Sequence, residues 1–302
     1  MKKTGLIGLG AISGNILYGI QFSKVLQLVS FADIDKTAKE RVESHNCSFF
    51  TDYIEMIKKE KLDYVIIATP PTTHYEIIKN CLNAGVNVIV EKPAVLDLKQ
   101  WDEVVELAKE KNLLFEVIYH WQNGEEIKQI KNFNLSAVKN IKISSNDPYS
   151  KDGKTALFDR VALGGSWIDS GVNILSSLQM YLPLKTYEIK NIKNVLCEKS
   201  HIPIASKVNL LIDEVNVEIE IDWRNNLNQK ITTIELDDET IILHHTRQSI
   251  IRNDEEIVYS TEERMKTHYK NYFSKFNCKS DPLGGRKIHE ILLKVRDCYE
   301  KN

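Results

Sequence analysis

The sequence has few cysteines, and their spacing excludes a disulfide framework and a zinc knuckle. No two of them form a Cys-x-x-Cys motif, and they are scattered over 302 residues at Cys47, Cys81, Cys197, Cys278 and Cys298. An odd number of scattered thiols is typical of proteins in a reducing compartment. We therefore expect a cytoplasmic protein whose cysteines are buried or chemically indifferent.

The chain is also poor in proline and glycine, lacks a long hydrophobic run and carries almost no net charge. Its 7 prolines and 13 glycines, with 42% hydrophobic and 27% charged residues, exclude collagen-like, coiled-coil and disordered chains. A formal net charge of -2 without a block of like charges offers no field for a nucleic acid or a membrane surface. The first apolar run is too short to span a membrane and has no signal-peptide cleavage site. A small neutral or anionic molecule is the expected partner.

Two hydrophobic patterns divide the sequence at about residue 120. Up to residue 119, apolar runs such as "TGLIGLG" and "DYVIIATP" alternate with amphipathic stretches, which predicts an α/β fold with a doubly wound parallel sheet. Beyond it, runs of period two such as "VNVEIEIDW" predict an α+β domain on an open, mostly antiparallel sheet. We expect a dinucleotide-binding Rossmann domain over 1–119 and a substrate-binding and oligomerisation domain over 120–302.

Several helices can be placed from capping residues and periodicity. Asp97 is the predicted N-cap of the strongest helix in the first domain, and "KTAKERVESH" is predicted as another helix. The second domain is predicted to contain helices over 170–181 and 261–276. A last helix runs from Pro282 to about residue 299, with Asp281 as its N-cap.

The clearest motif is a glycine loop, "LIGLGAISG", at the end of the first predicted strand. Gly8 and Gly10 permit a tight turn and let a dinucleotide pyrophosphate approach backbone N–H groups at a helix N-terminus, with Ala11 and Ile12 completing the predicted phosphate site. Ser13 replaces the third glycine of the usual pattern and is small enough for helix and strand to pack. A glycine turn without any cofactor is the alternative interpretation.

An acidic residue after the second predicted strand favours a cofactor. The carboxylate of Asp33 is placed to accept hydrogen bonds from the adenosine ribose hydroxyls and to repel a 2'-phosphate. An NADP site would be expected to offer an arginine nearby, and the next residue is Ile34. We therefore expect NAD, while the nearby Lys36 keeps NADP open.

The stretch "ATPPTTHYEIIKNCLNAGVNVIVEKP", residues 68–93, resembles the nicotinamide-dependent oxidoreductases named for glucose-fructose oxidoreductase, inositol dehydrogenase and rhizopine-catabolism dehydrogenase. The resemblance implies that this stretch lines the nicotinamide side of the site, through Thr69, Pro70, His74 and Glu91. It also implies that Lys92 is an active-site lysine and that the following proline is commonly involved in a cis bond. The resemblance covers the whole chain, closely to about residue 120 and loosely beyond.

The same family has paired glycines before a helix in its second domain, with an Asp and a His four residues apart. Here "GGSWIDSGVN", residues 164–173, places Asp169 and Asn173 at those positions. The resemblance implies that both point at the nicotinamide and Lys92 from one helical face. Because an amide cannot titrate, we expect Lys92 to be the acid/base, with Asp169 as its partner or as the alternative base. A capping Asp169 and a surface Asn173 are the structural alternative.

Asn173 is shared with a branch of the family, the aldose 1-dehydrogenases that act on D-galactose and L-arabinose. That branch has "DPGINALS" where this chain has "DSGVNILS", and it also resembles the chain at "DWR", residues 222–224. A histidine of the branch corresponds to His120, which with Trp121 is the expected substrate contact, although core packing is an equal alternative for Trp121. The tryptophan-rich loop of the branch is replaced by "NDPYSKDGKTALFDRVAL", so the resemblance does not fix the sugar.

These observations predict an NAD-dependent sugar dehydrogenase, with the anomeric carbon of an aldose as one place of oxidation. Oxidation of a cyclitol or a nucleotide-linked sugar is one alternative, and a catalytically silent NAD-binding sensor is another. No metal site is expected, because the adjacent His244 and His245 point to opposite faces of a strand. The resemblance implies a homodimer or homotetramer formed through the outer face of the sheet.

Overall fold

The structure, a computed structural model, describes residues 1–150, 152–279 and 281–300. The chain divides into two units, Met1–Tyr119 with Tyr269–Arg286, and His120–His268 with Lys287–Asn302. The segment Tyr269–Arg286 belongs to the first unit, although the sequence pattern places it in the second domain.

The first unit contains a six-stranded sheet in which every neighbouring pair of strands is parallel. The strand order is β3-β2-β1-β4-β5-β6, so the direction of progression reverses between β1 and β4. This confirms the predicted doubly wound sheet. The strands are β1 (Lys2–Ile7), β2 (Leu26–Ala32), β3 (Ser48–Phe50), β4 (Tyr64–Ile67), β5 (Asn87–Glu91) and β6 (Phe115–Ile118).

Four helices connect these strands: α1 (Ser13–Ile20), α2 (Tyr53–Glu60), α3 (Pro71–Asn83) and α4 (Leu98–Glu110). The predicted cap of α4 is confirmed, because the Asp97 side chain accepts from the backbone N–H of Lys99 at 2.6 Å. The stretch "KTAKERVESH", predicted as a helix, forms a 3-10 helix over Lys36–Val42. It begins at Asp35, whose side chain accepts from the backbone N–H of Thr37 and closes a tight turn.

The second unit contains an eight-stranded sheet of order β14-β13-β12-β11-β7-β10-β9-β8, in which only β7 and β10 pair in parallel. The predicted mostly antiparallel sheet is confirmed. Its strands are β7 (Asn140–Asn146), β8 (Tyr187–Leu196), β9 (Pro203–Ile212), β10 (Val215–Asp222), β11 (Gln229–Glu235), β12 (Thr240–His244), β13 (Ser249–Arg252) and β14 (Glu255–Val258).

The remaining helices are α5 (Glu125–Ile130), α6 (Phe158–Val161), α7 (Val172–Leu178), α8 (Arg264–Lys275) and α9 (Pro282–Glu300), with a 3-10 helix over His120–Asn123. The sequence pattern did not predict α5. The predicted start of α9 is confirmed, because the Asp281 side chain accepts from the backbone N–H of Gly284 at 2.9 Å. The aromatic stripe of α8 is buried as predicted, at Tyr269, Tyr272, Phe273 and Phe276.

The two faces of the second sheet differ in polarity. On β9, Val208, Leu210 and Ile212 are buried and form part of the core of the second unit. On the alternate positions, Lys207 pairs with Glu218 at 3.1 Å and with Glu220 at 2.5 Å, both on the neighbouring β10. The core therefore lies on one face of the sheet, and the other face carries charged pairs.

Candidate functional site

The glycine loop that follows β1 contains two glycines, and the structural surroundings of the two differ. Gly8 has φ +92, and a Cβ there would lie 2.7 Å from the Ala68 carbonyl oxygen, so no larger residue fits beside the end of β4. A Cβ on Gly10 would meet nothing within 4 Å. Gly10 is exposed, so backbone there is open to a ligand.

The helix after this loop has an open N-terminus. Ile12 precedes α1 and makes no capping hydrogen bond, and the first turn contains no acidic residue. The Ser13 hydroxyl donates to the Gly10 carbonyl at 2.7 Å and holds the loop closed. Ala11 is exposed and Ile12 is half-buried. An uncapped helix N-terminus next to accessible glycine backbone favours an anion such as a pyrophosphate.

Asp33 lies just after β2 and is fixed beside the glycine loop. One carboxylate oxygen accepts from the Leu9 backbone N–H at 2.7 Å, and the other from the Asp35 backbone N–H at 2.9 Å. The guanidinium of Arg41 donates to the Leu9 carbonyl from the 3-10 helix. The sequence analysis did not consider Arg41, because nothing local in the sequence shows that the 3-10 helix turns it back to the loop.

His74 braces the segments that follow β4 and β5. It is fully buried, and its Nε2 lies 2.8 Å from the Thr69 carbonyl and its Nδ1 3.0 Å from the Pro93 carbonyl. Burial lowers the pKa of His74, and the two carbonyl contacts oppose this shift. Thr69 also accepts a hydrogen bond from the Thr73 hydroxyl at 2.7 Å, while Pro70 is exposed just before α3. His74 thus fixes the backbone on either side of a site rather than presenting a free ring.

The segment Glu91–Pro93 continues from the end of β5. Glu91 is 5% exposed, and one of its oxygens accepts a 2.5 Å hydrogen bond from the Tyr269 phenol. The Lys92–Pro93 peptide bond is cis, and Lys92 is half-buried. Tyr269 was predicted only as a core residue, so its support of Glu91 was missed.

The carboxyl ends of adjacent parallel strands bring the predicted cofactor residues to one edge of the sheet. The glycine loop follows β1, Asp33 follows β2, Thr69 follows β4 and Lys92 follows β5. Ligands of open α/β sheets bind at this edge, where the strand order reverses. The residues fit a dinucleotide, because the open α1 terminus suits its pyrophosphate and Asp33 offers an acceptor beside the loop.

In the second unit, the paired glycines permit a close approach of two chain segments. Gly165 has φ +94, and a Cβ there would lie 2.8 Å from the Pro203 ring at the start of β9. The next residues form a π-helical turn, Trp167–Gly171, and α7 begins at Val172. The Trp167 indole donates to the Leu292 carbonyl at 2.9 Å, which anchors the turn. Isolated π-helical turns are frequently found at functional sites.

Asp169 and Asn173 lie on this turn and the helix after it. The Asn173 amide nitrogen lies 3.3 Å from the Asp169 backbone carbonyl. The Asn173 side-chain oxygen is buried, and within residues 1–150, 152–279 and 281–300 it has no hydrogen-bond partner. The expected α-helical turn between the two residues is thus partly π-helical. A buried acceptor without a protein partner can be satisfied by a donor from outside the chain, which is either a water or a ligand.

His120 and Trp121 lie inside the second unit, each 3% exposed. The Nδ1 atoms of His120 and His268 are 3.2 Å apart. The Trp121 ring centroid lies 5.1 Å from that of His245. His245 in turn contacts Glu126 and Thr232, both at 2.8 Å. The two predicted substrate residues thus belong to a buried polar network.

A cluster of charged and phenolic side chains lies within electrostatic range of Asp169, and no motif in the sequence indicates it. The Lys230 ammonium donates to Asp147 at 2.6 Å in the interior of the unit. Burial lowers the pKa of Lys230, Asp147 and Asp169 raise it, and Arg264 lowers it. Burial raises the pKa of Tyr149, with Asp147 and Asp169 adding to the shift. Because these residues come from separate segments, no local pattern could reveal them. We call Asp147, Tyr149, Asp169, Lys230 and Arg264 the charged cluster.

Neither a membrane-spanning helix nor a metal cluster is present in the part of the chain that the structure describes. None of its helices combines the length and apolar character needed to cross a membrane. Nor does this part hold three or more histidine, cysteine, aspartate or glutamate side chains grouped to bind a metal ion.

Comparison with known families gives one match to the first part of the chain. Residues 2–119 match the oxidoreductase family described by an NAD-binding Rossmann fold. This range contains the glycine loop, Asp33 and Lys92.

Curated relatives match only part of this chain. The chain is 27% identical to the UDP-N-acetylglucosamine 3-dehydrogenase of Acidithiobacillus ferrooxidans over 116 residues, which cover 38% of this chain and 36% of that protein. It is also 27% identical to the scyllo-inositol 2-dehydrogenase (NADP(+)) of Bacillus subtilis over 128 residues, covering 40% and 34%. The matches span only 22% to 52% of the first relatives' lengths.

A solved structure is similar over nearly the full length. The WlbA dehydrogenase from Bordetella pertussis, in complex with NADH and UDP-GlcNAcA, superposes with a TM-score of 0.82 at 14% identity. The match covers 99% of this chain and 96% of that chain. At this identity the similarity establishes a shared fold, including the second unit.

Proposed function

We propose that this chain, whose residues 2–119 match the oxidoreductase family with an NAD-binding Rossmann fold, is a nicotinamide-dependent dehydrogenase of a sugar carbinol. One observation carries the proposal, namely that the glycine loop, Asp33, Thr69 and Lys92 follow four strands and meet at one edge of the sheet. A dinucleotide fold alone would require the loop and Asp33. The half-buried lysine after β5 adds a group that can handle a proton.

The cofactor preference follows from the neighbourhood of the glycine loop. When bound, the nicotinamide accepts the hydride that leaves the carbinol carbon. The open N-terminus of α1 binds the pyrophosphate, and Asp33 accepts from the adenosine ribose. Asp33 favours NAD, because its charge repels a 2'-phosphate, while Arg41 and Lys36 supply cations that permit some use of NADP.

The proton of the substrate hydroxyl goes to Lys92, and the second unit orients the sugar. Asp169 is the partner of Lys92 or the alternative base. The buried oxygen of Asn173 accepts a hydrogen bond from a sugar hydroxyl, which satisfies its missing partner. Asn173 orients without titrating, so the acid/base chemistry depends on the lysine and the carboxylate. Oxidation at the anomeric carbon would give an aldonolactone.

The names of the relatives favour a second candidate substrate class. One relative is a UDP-N-acetylglucosamine dehydrogenase and another a scyllo-inositol dehydrogenase, so ring oxidation of a nucleotide-linked sugar or a cyclitol uses the same type of cofactor domain. The aldose 1-dehydrogenase assignment depends on Asn173 and its flanking residues.

The test is the initial rate of nicotinamide reduction with NAD or NADP against L-arabinose, D-galactose, myo-inositol and a UDP-amino sugar. We expect turnover with at least one sugar. Lys92→Ala should lower kcat by about 10²- to 10⁴-fold, because it removes the general base, and should keep NADH binding. Lys99→Ala, at an exposed position of α4, is the matched control and should leave kcat unchanged. Turnover that survives Lys92→Ala would contradict the assigned role. Absence of turnover with NADH still bound would favour a sensor.

A further inference from the structure

Arg264, the first residue of α8, has a buried guanidinium nitrogen without an acceptor. Its Nη1 atom is inaccessible to solvent and makes no hydrogen bond to any residue of 1–150, 152–279 or 281–300. The residue as a whole is half-buried. Burial lowers the pKa of Arg264, and Asp147 and Glu126 oppose this shift. A desolvated guanidinium without an acceptor costs free energy that a ligand acceptor would recover.

Lys230, a cation of the same charged cluster, has a hydrogen-bond acceptor for each of its ammonium protons. Its ammonium donates to the Asp147 carboxylate at 2.6 Å, to the Asn146 carbonyl at 3.0 Å and to the Asn228 side chain. An ammonium has three protons, so Lys230 has no donor left for a ligand. Asp147 is likewise neutralised by this pair, which leaves Arg264 as the cation of the charged cluster with a donor to spare.

Arg264 shares its neighbours with the proposed reacting residue. The charges of Asp169 and Arg264 both act on the pKa of Tyr149, and both act on the pKa of Lys230. The two side chains therefore lie in the same charged cluster. A molecule that reaches Asp169 therefore comes close to Tyr149 and Lys230, two residues on which Arg264 also acts.

The guanidinium is held by an aromatic ring. The Arg264 Cζ atom lies 5.6 Å from the Trp121 ring centroid, and Trp121 is 3% exposed. Arginine packed on an aromatic ring keeps its donors pointing outward in the plane of the guanidinium. Trp121 thus supports Arg264 and fixes the direction in which its donors act.

We propose that Arg264 binds a carboxylate of the substrate, so that the sugar is a sugar acid; this inference rests on the proposed dehydrogenase function. A planar carboxylate matches the two-pronged guanidinium with two parallel hydrogen bonds. A phosphate dianion fits less well, because the carboxylates of Glu126 and Asp169 in the same region repel a second negative charge. Arg264 is accordingly a residue that determines specificity.

The experiment compares sugars that differ only at C6. We would measure kcat/KM with NAD for D-galacturonate against D-galactose and for D-glucuronate against D-glucose, with D-galactose 6-phosphate as a third arm. We expect the wild type to prefer a uronate. Arg264→Met should lower kcat/KM for the uronate by about 100-fold and for the neutral sugar by less than about threefold, because a charged hydrogen bond is lost only with the former. Arg264→Lys keeps the charge and loses the fork, so an intermediate loss is expected.

The control is Arg252→Gln, which removes an arginine that is ion-paired with Glu239 on the same unit. It should leave the uronate preference unchanged. Equal losses for both sugars of a pair in the Arg264 variants would show a structural role and overturn the proposal. A wild-type preference for the neutral sugar or the sugar phosphate would overturn it too.

Direct binding separates this proposal from the proposed function. If no sugar turns over, calorimetry of D-galacturonate and D-galactose with the NADH-bound protein still reports recognition. Suppose that the wild type binds the uronate, that Arg264→Lys binds it more weakly, and that no sugar turns over. This result would support the carboxylate site and contradict the dehydrogenase assignment. Absence of uronate binding, or binding indifferent to Arg264, would overturn the carboxylate site. Arg264→Lys serves where Arg264→Met fails to fold.

Discussion

At the scale of single residues, cofactor choice depends on one carboxylate with two tasks. Asp33 accepts from the Leu9 backbone N–H at 2.7 Å, and in the proposed function it also accepts from the adenosine ribose. Arg41 donates to the Leu9 carbonyl of the same loop, so opposite charges lie on the two sides of Leu9. The balance between NAD and NADP therefore depends on whether the negative charge or the guanidinium dominates.

Asp33→Asn tests this balance, because it removes the charge and retains an oxygen that can accept from Leu9. We expect kcat/KM with NADP to rise at least about tenfold relative to NAD, since a like-charge repulsion worth roughly 1 to 4 kcal/mol is relieved. The ratio is measured from initial rates with each cofactor.

The control is Asp35→Asn, which changes an exposed carboxylate that caps the 3-10 helix through the Thr37 backbone N–H. It should leave the ratio within about twofold. An unchanged ratio in Asp33→Asn would show that the charge does not set the preference.

Functional residues can be predicted from the sequence when they lie in a contiguous motif. Gly8, Gly10 and Lys92 could be selected because their neighbours along the chain specify a turn or a strand end. Arg264 and Lys230 could not, because neither has a local signature and tertiary packing alone brings them to Asp169. The burial of Trp121, which makes it a support for Arg264, also needed the structure.

At the scale of elements, α8 carries two side chains of the same buried network, one turn apart. Arg264 packs on Trp121, and His268 contacts His120. The His268 Nε2 atom is buried without a partner in the described part of the chain. Cations and buried imidazoles are thus crowded together on one helix turn, which makes the protonation of His268 unfavourable.

The pH dependence of stability should report this crowding. Burial first, and then the charges of Arg264, His245 and Lys128, hold the pKa of His268 well below its usual 6.5. As the pH falls through about 6.5, the unfolded chain binds a proton at this residue and the folded chain does not. The folded state therefore loses stability towards acid, by up to about 1.4 kcal/mol per pH unit for this group.

Urea unfolding at pH 5, 6, 7 and 8 measures the slope. His268→Gln should flatten it between pH 6.5 and 5, because the titrating group is gone. His201→Asn replaces an exposed histidine on the same unit and should leave the slope unchanged. A slope that is equal in all three proteins would assign acid sensitivity to other groups.

At the scale of elements, the sequence does not predict that the turn at Trp167–Gly171 is π-helical and not α-helical. Helical periodicity predicts that residues 169 and 173 share a face, yet it does not report an extra residue in the turn. Gly171 lies against the fully buried Trp167 ring, and a Cβ on Gly171 would lie 3.0 Å from that ring. Trp167 is in turn hydrogen-bonded to Leu292, far along the chain. The turn type thus depends on packing that is not local.

At the scale of the whole molecule, the chain returns to its first unit near its end. Tyr269 packs on Gly19 of α1, where a Cβ would lie 2.6 Å from the Tyr269 backbone carbon. Gly285 packs on Trp101 in the same manner. Periodicity predicted both sheets, because local alternation specifies strands and helices. Periodicity could not assign residues 269–286 to the first unit. The contacts that place them there involve Gly19, Gly285 and Tyr269, and no periodic pattern shows what these residues contact.

Gly19→Ala tests the importance of this return. We expect a loss of about 1 to 3 kcal/mol in the free energy of unfolding, because the added methyl overlaps backbone that cannot move aside. Gly14→Ala, on the same helix, is the control, since its Cβ would meet nothing within 4 Å. It should be neutral or slightly stabilising. Urea unfolding of the full chain measures both, and equal stability of the two variants would show that the contact is dispensable.

The order in which the chain is synthesised gives the return of residues 269–286 a further consequence. All six strands of the first sheet have been translated by residue 119, but the segment that covers Gly19, Glu91 and Trp101 comes much later. At ordinary translation rates this delay is on the order of ten to thirty seconds. Throughout that interval the nascent first unit lacks the segment that covers Gly19, so the unit whose strands are made first is completed among the last.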